Sequence, residues 1–143
     1  MQLYLHDLSS FTNETPDASG VFPLDEYFDC YWLDSDRFPY ILLMDEKPAG
    51  FALVRQLAEN SYSIAEFFVL RAFRRQGVAT KFAHGIFRRH HGHWSVAELE
   101  ENEPSHAFWR HAISLYTRDQ YQEKWSNSQP RGPLQTFDSP TGL

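Results

Sequence analysis

The stretch from Tyr62 to Val78 constrains this chain more than any other. An almost continuous apolar run, Ile64 to Leu70 broken only by Glu66, ends in a short basic segment, Arg71 to Gln76, and then Gly77. A run of that length and composition reads as a strand buried on both faces. After Gly77 the apolar residues Val78, Ala79, Phe82, Ala83, Ile86 and Phe87 recur at spacings of three and four. This is the pattern of an amphipathic helix, and Arg88, Arg89 and His90 fall near its C-terminus, where cations are favoured. A strand passing through a glycine turn into a helix demands a sheet with helices packed on it.

The flanking segments extend that plan. Gln2 to His6 alternates and reads as an opening strand, and Asp7 to Gly20 as a short helix and loop. The aromatics between Leu24 and Leu33 fall at helical spacing. Pro39 to Met44 and Ala49 to Arg55 are apolar runs separated by Asp45-Glu46-Lys47-Pro48, a hairpin signal, and Tyr62 to Leu70 follows as the third strand of a meander. His93 to Leu99 reads as a strand, Pro104 to Tyr116 as a helix, and Tyr121 to Ser126 and Leu134 to Phe137 as closing strands. The Ser139-Pro140-Thr141-Gly142 segment reads as a tail. Antiparallel strands followed by a strand–helix–strand crossover predict an α/β (α+β) chain with a mixed sheet.

The chain has 143 residues, enough for one domain spanning 1–143. Its net charge of −6 argues against nucleic acid as a partner. The charge is uneven: six Lys or Arg and no acid lie between Phe67 and Ala97, against seven basic and nineteen acidic residues elsewhere. A local basic segment in an acidic chain suits a small anionic ligand. With Cys30 alone no internal disulfide forms, no apolar stretch reaches the ~20 residues of a membrane span, and no signal peptide is evident. A soluble, cytoplasmic protein without a membrane partner is expected.

Physics alone gives Arg74-Arg75-Gln76-Gly77-Val78-Ala79-Thr80 two readings. The free N–H groups of a helix start, the helix dipole and the arginine charges suit a pyrophosphate, and Gly77 presents no Cβ to obstruct it. A solvated basic turn explains the same residues. His90-His91-Gly92-His93 invites a metal reading, but adjacent histidines on a helix diverge, and a helix end closed by Gly92 accounts for them; no metal is expected.

Phe67-Phe68-Val69-Leu70-Arg71-Ala72-Phe73-Arg74-Arg75-Gln76-Gly77-Val78-Ala79 resembles the signature of the GNAT superfamily of acyl-CoA-dependent N-acetyltransferases. Val69 stands eight residues before Gly77, as that signature requires. Asn102-Glu103-Pro104-Ser105-His106-Ala107-Phe108-Trp109 is similar to its downstream Asn-x-x-Ala-x-x-Phe-Tyr segment. The likeness spans about Tyr62 to Ile113 and is narrower still with a group of short bacterial predicted acetyltransferases.

The resemblance implies the GNAT fold: a mostly antiparallel sheet of six to seven strands with about four helices, and two central parallel strands, carrying Glu66 and Val96, splayed around the cofactor. It implies acetyl-CoA as co-substrate and an amine acceptor. Backbone groups of Phe67, Phe68 and Val69 would hold the pantetheine arm, and the amides of Arg74, Arg75, Gln76, Gly77, Val78, Ala79 and Thr80 the pyrophosphate. Asn102 and its helix, with Trp109, would line the channel's other side.

Glu66 is the first candidate for the base, since desolvation among aromatic neighbours raises a carboxyl's pKa; a structural carboxylate is the alternative. Glu98 is the second candidate, with a solvated acid the favoured alternative. Trp109 stands where many relatives carry a Tyr acid, and an indole N–H does not donate a proton at neutral pH. Tyr116 and Tyr121 lie downstream. That departure keeps open a CoA-binding module without turnover, and the closing strands leave room for a homodimer.

Overall fold

The computed structural model describes residues 1–141. Its elements run α1 (Gln2–Thr12), α2 (Cys30–Leu33), β1 (Arg37–Met44), β2 (Lys47–Ala58), β3 (Ser61–Val69), α3 (Val78–Arg89), β4 (Gly92–Ala97), α4 (Glu103–Thr117), β5 (Gln122–Ser126) and β6 (Gly132–Ser139). The strands form one six-stranded sheet in the order β1-β2-β3-β4-β6-β5. Every pairing is antiparallel except β3 with β4, which are parallel on either side of the α3 crossover. This is the mixed, mostly antiparallel sheet with four helices that the resemblance implies.

Two expectations are corrected at the N-terminal end. Gln2 to His6 is not a strand but the first half of α1. Five alternating residues are too few to separate period 2 from period 3.6, whereas Tyr4, Leu8 and Phe11 over a longer window share a helix face. The aromatic stretch before β1 is helical only over Cys30–Leu33. An Asx turn interrupts it, the Asp25 carboxylate accepting from the Tyr27 N–H at 2.7 Å. At the other end Ser139 is no tail residue: it is buried, and its hydroxyl donates to the Phe87 carbonyl at 2.8 Å. Gly142 lies outside the described residues.

One face of the sheet carries the core. Ala52, Val54, Ile64, Trp94, Val96 and Phe137 meet Ala83, Ile86 and Phe87 of α3 and Trp109, Ala112 and Ile113 of α4. Trp94 and Phe87 are fully buried, with ring centroids 4.9 Å apart in an edge arrangement. The opposite face carries α1 and the segment leading to β1, where Phe22, Tyr31, Leu53 and Phe68 are buried.

A bulge in β3 decides which residues reach which face. Leu53 of β2 pairs with Glu66, but the next residue, Val54, pairs with Ile64, so Ala65 is the extra residue. Without the bulge the same sequence, regularly paired, would put Glu66 on the core face with Ile64. With it, Glu66 and Phe68 meet Tyr4 of α1, while Phe67 turns to the core against Phe82, Phe108 and Trp109. The parallel ladder between β3 and β4 runs from Ser61↔His93 to Ile64↔Val96 and stops there, at the bulge. Beyond that point the two strands separate, as the resemblance anticipates.

Candidate active site

Beyond the last β3–β4 pair, the end of β3 borders a groove of ≈ 370 Å³. Its walls are the end of β3 (Phe67, Phe68, Val69), the exposed flank of α1, and the start of α4 (Asn102, Pro104, Ser105, Phe108), with Arg74 and Ala79 at one end. That end is the α3 N-terminus. Gly77 is the helix N-cap at φ +75°, a left-handed conformation that glycine adopts without strain, and a Cβ built there would meet nothing within 4 Å. No side chain caps the helix, and the first amide bonded in it is that of Lys81, to the Gly77 carbonyl at 3.1 Å. The N–H groups ahead of Lys81 are therefore free for an anion, favoured by the helix dipole.

The arginines of this loop divide their work. Arg71 and Arg74 both donate to the Asp7 carboxylate of α1, at 2.6 and 2.7 Å. Burial acts to raise the Asp7 carboxyl, but its bonds to Arg74 and Arg71 hold it below its ordinary value. Arg74 also donates Nε–H to the Val69 carbonyl at 2.8 Å. Arg74 thus braces the loop against β3 and α1, and the Val69 carbonyl is taken. Arg75, at φ +60°, and Gln76, whose amide donates to the Ala72 carbonyl at 3.1 Å, shape the turn. Val78 and Thr80 occupy the first turn of α3.

Asn102 caps α4, its side-chain oxygen accepting from the Ser105 N–H at 3.2 Å. Trp109 does not line the groove. It is 4% exposed, inside the core, and Phe108 stands at the groove wall in its place. Tyr116 does not line the groove; its hydroxyl bonds Ser139 Oγ at 2.7 Å beside Phe87 and Phe137. Tyr121 lines a separate cleft with His93 and Phe137.

A second cavity of ≈ 530 Å³ lies on the α1 side of the sheet, lined by Asp25, Tyr31, Arg37, Arg55, Glu66 and the β5–β6 loop among others. Glu66 belongs to this cavity and Tyr4 to the groove, and the Tyr4 hydroxyl donates to the Glu66 carboxylate. The pair stands at the junction of the two spaces. Burial raises the Glu66 carboxyl above its ordinary value, the Tyr4 bond opposing this and the Asp25 charge adding to it. Burial also raises the Tyr4 hydroxyl well above its ordinary range, with the Glu66 charge acting the same way. Sequence spacing offered no route to Tyr4, because contact between residues 4 and 66 depends on how α1 docks.

Glu98 is not a solvated acid. It is 3% exposed, and neither carboxyl oxygen has a hydrogen-bond partner. Burial pushes it up to about 8, with Gln135 acting against the rise and the Glu123 charge adding to it. It lines neither space.

The model of the acetyltransferase (GNAT) family matches residues 3–113, most of the chain. The chain belongs to the GNAT family. Solved GNAT structures share its fold at low identity. A Staphylococcus aureus GNAT-family acetyltransferase superposes with a TM-score of 0.60 at 10% identity, over 96% of this chain and 92% of the other. A putative streptothricin acetyltransferase from Bacillus anthracis, in complex with acetyl coenzyme A, gives 0.61 at 12% identity, over 80% and 69%. A GNAT acetyltransferase from Elizabethkingia anophelis with acetyl-CoA bound gives 0.56 at 12% identity, over 81% and 84%. Among curated proteins, none matches the chain in sequence. Within this GNAT chain the groove, the free α3 amides and the diverging strands lie within or beside the family-matched segment.

Proposed function

We propose that this GNAT protein transfers the acetyl group of acetyl-CoA to a primary amine, with Glu66 as the base. The observation that carries the reading is the Tyr4–Glu66 pair, which touches the groove on one side and the second cavity on the other. The groove fits the co-substrate: unbonded amides at the α3 N-terminus face a pyrophosphate, and the β3 edge freed beyond Ile64 offers backbone groups to a pantetheine arm. When bound, acetyl-CoA supplies a thioester whose C–S bond breaks as the amine nitrogen forms the C–N bond, sulfur leaving with the electron pair.

The chain's own residues do the rest. Glu66 accepts the proton the amine must shed, and its desolvated setting makes it a stronger base than a solvated carboxylate. The Tyr4 hydroxyl holds the carboxylate in place. No tyrosine of α4 lines the groove, so the thiolate departs without an acid from that helix, either unprotonated or taking its proton from water. The expected setting is cytoplasmic. β5, at the sheet edge, is the strand through which a homodimer would pair.

The test is acetyl-CoA-dependent thiol release over a panel of amines, run beside a thermal shift with CoA. Glu66→Gln is expected to lower kcat by about a hundredfold or more and to leave the CoA shift in place. The acid limb of the parent's rate profile should lie above the ordinary carboxylate range. Full activity in Glu66→Gln moves the base elsewhere. A shift without turnover on any amine favours a CoA-binding module, the reading that buried Trp109 supports; no shift removes both.

A further inference from the structure

We propose that the second cavity takes an amine that also carries an anionic oxygen group, a carboxylate or a phosphate, held by Arg37 and Arg55. The inference rests on the acetyl-transfer reading and names its acceptor class. Arg37 and Arg55 are direct partners across the β1–β2 pair. Like charges placed opposite one another on a sheet face repel, and an anion between or above them relieves that repulsion.

Arg37 is held between two tyrosine rings. Its side chain is 13% exposed, and its guanidinium lies 5.1 Å from the Tyr31 ring and 5.6 Å from the Tyr27 ring. The nearest carboxylate, Asp34, is 3.9 Å away, beyond hydrogen-bond reach. Arg55 is exposed and makes no ion pair among the described residues. A guanidinium presents its donors as a planar fork that matches the oxygens of a carboxylate or phosphate.

The rest of the cavity supplies the opposite charge at a distance. Across the sheet, Arg37, Arg55 and Ser63 form one row of partners, while Leu53 and Glu66 form the next. Rows two residues apart along a strand are separated by roughly 7 Å. Glu66, with Asp25 in the same cavity, therefore faces the amine end of an acceptor whose anionic end lies at the arginines. A polyamine would set one of its cations against the two guanidiniums and is disfavoured.

Matched probes test this: β-alanine against propylamine, L-phenylalanine against 2-phenylethylamine, and O-phosphoethanolamine against ethanolamine, each with saturating acetyl-CoA. The anionic member of at least one pair should give a kcat/KM about tenfold or more above its neutral partner, a preference on the scale of one lost charge-assisted bond. The carboxylate and phosphate arms show which oxyanion is meant. Arg55→Gln should raise KM for that acceptor about tenfold while the thermal shift with acetyl-CoA stays. Arg37→Lys, which keeps the charge and loses the fork, should fall between.

Neutral amines used as well as their anionic partners, or a preference untouched in Arg55→Gln, overturns the inference and leaves acetyl transfer standing. If none of the six amines is turned over, calorimetry on the CoA-loaded protein with β-alanine and O-phosphoethanolamine decides: binding weakened by Arg55→Gln supports the inference, and no millimolar binding overturns it. Failure to bind acetyl-CoA at all would instead remove the acetyl-transfer reading, and this inference with it.

Discussion

At the scale of single residues, two buried carboxyls of similar chemistry have different fates. Glu66 has a hydroxyl partner and faces a cavity; Glu98 has neither. A carboxyl held at about 8 in the folded chain, against 4.5 as its ordinary value, keeps its proton over a range where the unfolded chain has lost it. The folded state binds more protons there, so Glu98's contribution to stability is fully present below pH 4.5 and lost as pH rises toward 8. The slope is at most about 1.4 kcal/mol per pH unit. Glu98→Gln, similar in shape to the protonated acid, removes that dependence. Its melting temperature relative to the parent should climb between pH 5 and pH 8, and a difference that stays flat would show that Glu98 ionises normally. Composition and spacing offered no means of telling this glutamate from the solvated Glu100 and Glu101 beside it, since burial depends on β6 covering the end of β4.

At the scale of elements, the β3–loop–α3 unit was legible in the sequence almost to the residue. All of its determinants are local: an apolar run, a glycine, and a helical repeat. Gly77→Asp tests it. A Cβ at Gly77 meets nothing within 4 Å, so the main structural cost of the substitution is the left-handed backbone, about 1–2 kcal/mol. The new carboxylate would sit where an anion belongs, so CoA affinity should fall by more than the melting temperature implies. Calorimetry with CoA beside a thermal melt separates the two, and unchanged affinity would dismiss the pyrophosphate role. α1 was read wrongly for a different reason. Its face is legible only over Tyr4, Leu8 and Phe11 together, and none of its residues is buried enough to mark it as a core helix.

At the scale of the whole molecule, the two sides of the sheet are built differently. α3 and α4 are held by the packed aromatic core, whereas α1, with no buried residue, is held by the Tyr4 ring against Phe51 and Phe68, by Asp7 to Arg71 and Arg74, by Tyr4 to Glu66 and by Gln2 to the backbone of Phe22. The two Asp7 ion pairs contribute about 0–1 kcal/mol each. α1 should therefore open well before global unfolding. Hydrogen exchange should be faster across Gln2–Thr12 than across α3, and CoA should slow it, because α1 forms one wall of the groove. Equal protection of α1 and α3 without ligand would contradict this. Both sides of the sheet meet at Ala65, the extra residue in β3. Deleting it would restore a regular ladder with the same partners, Leu53 to Glu66 and Val54 to Ile64, and would leave Glu66 and Phe67 on their present faces. A chain shortened by that one alanine should therefore fold, and should lose only the extra bend and twist that the bulge gives β3 where its pairing with β4 ends.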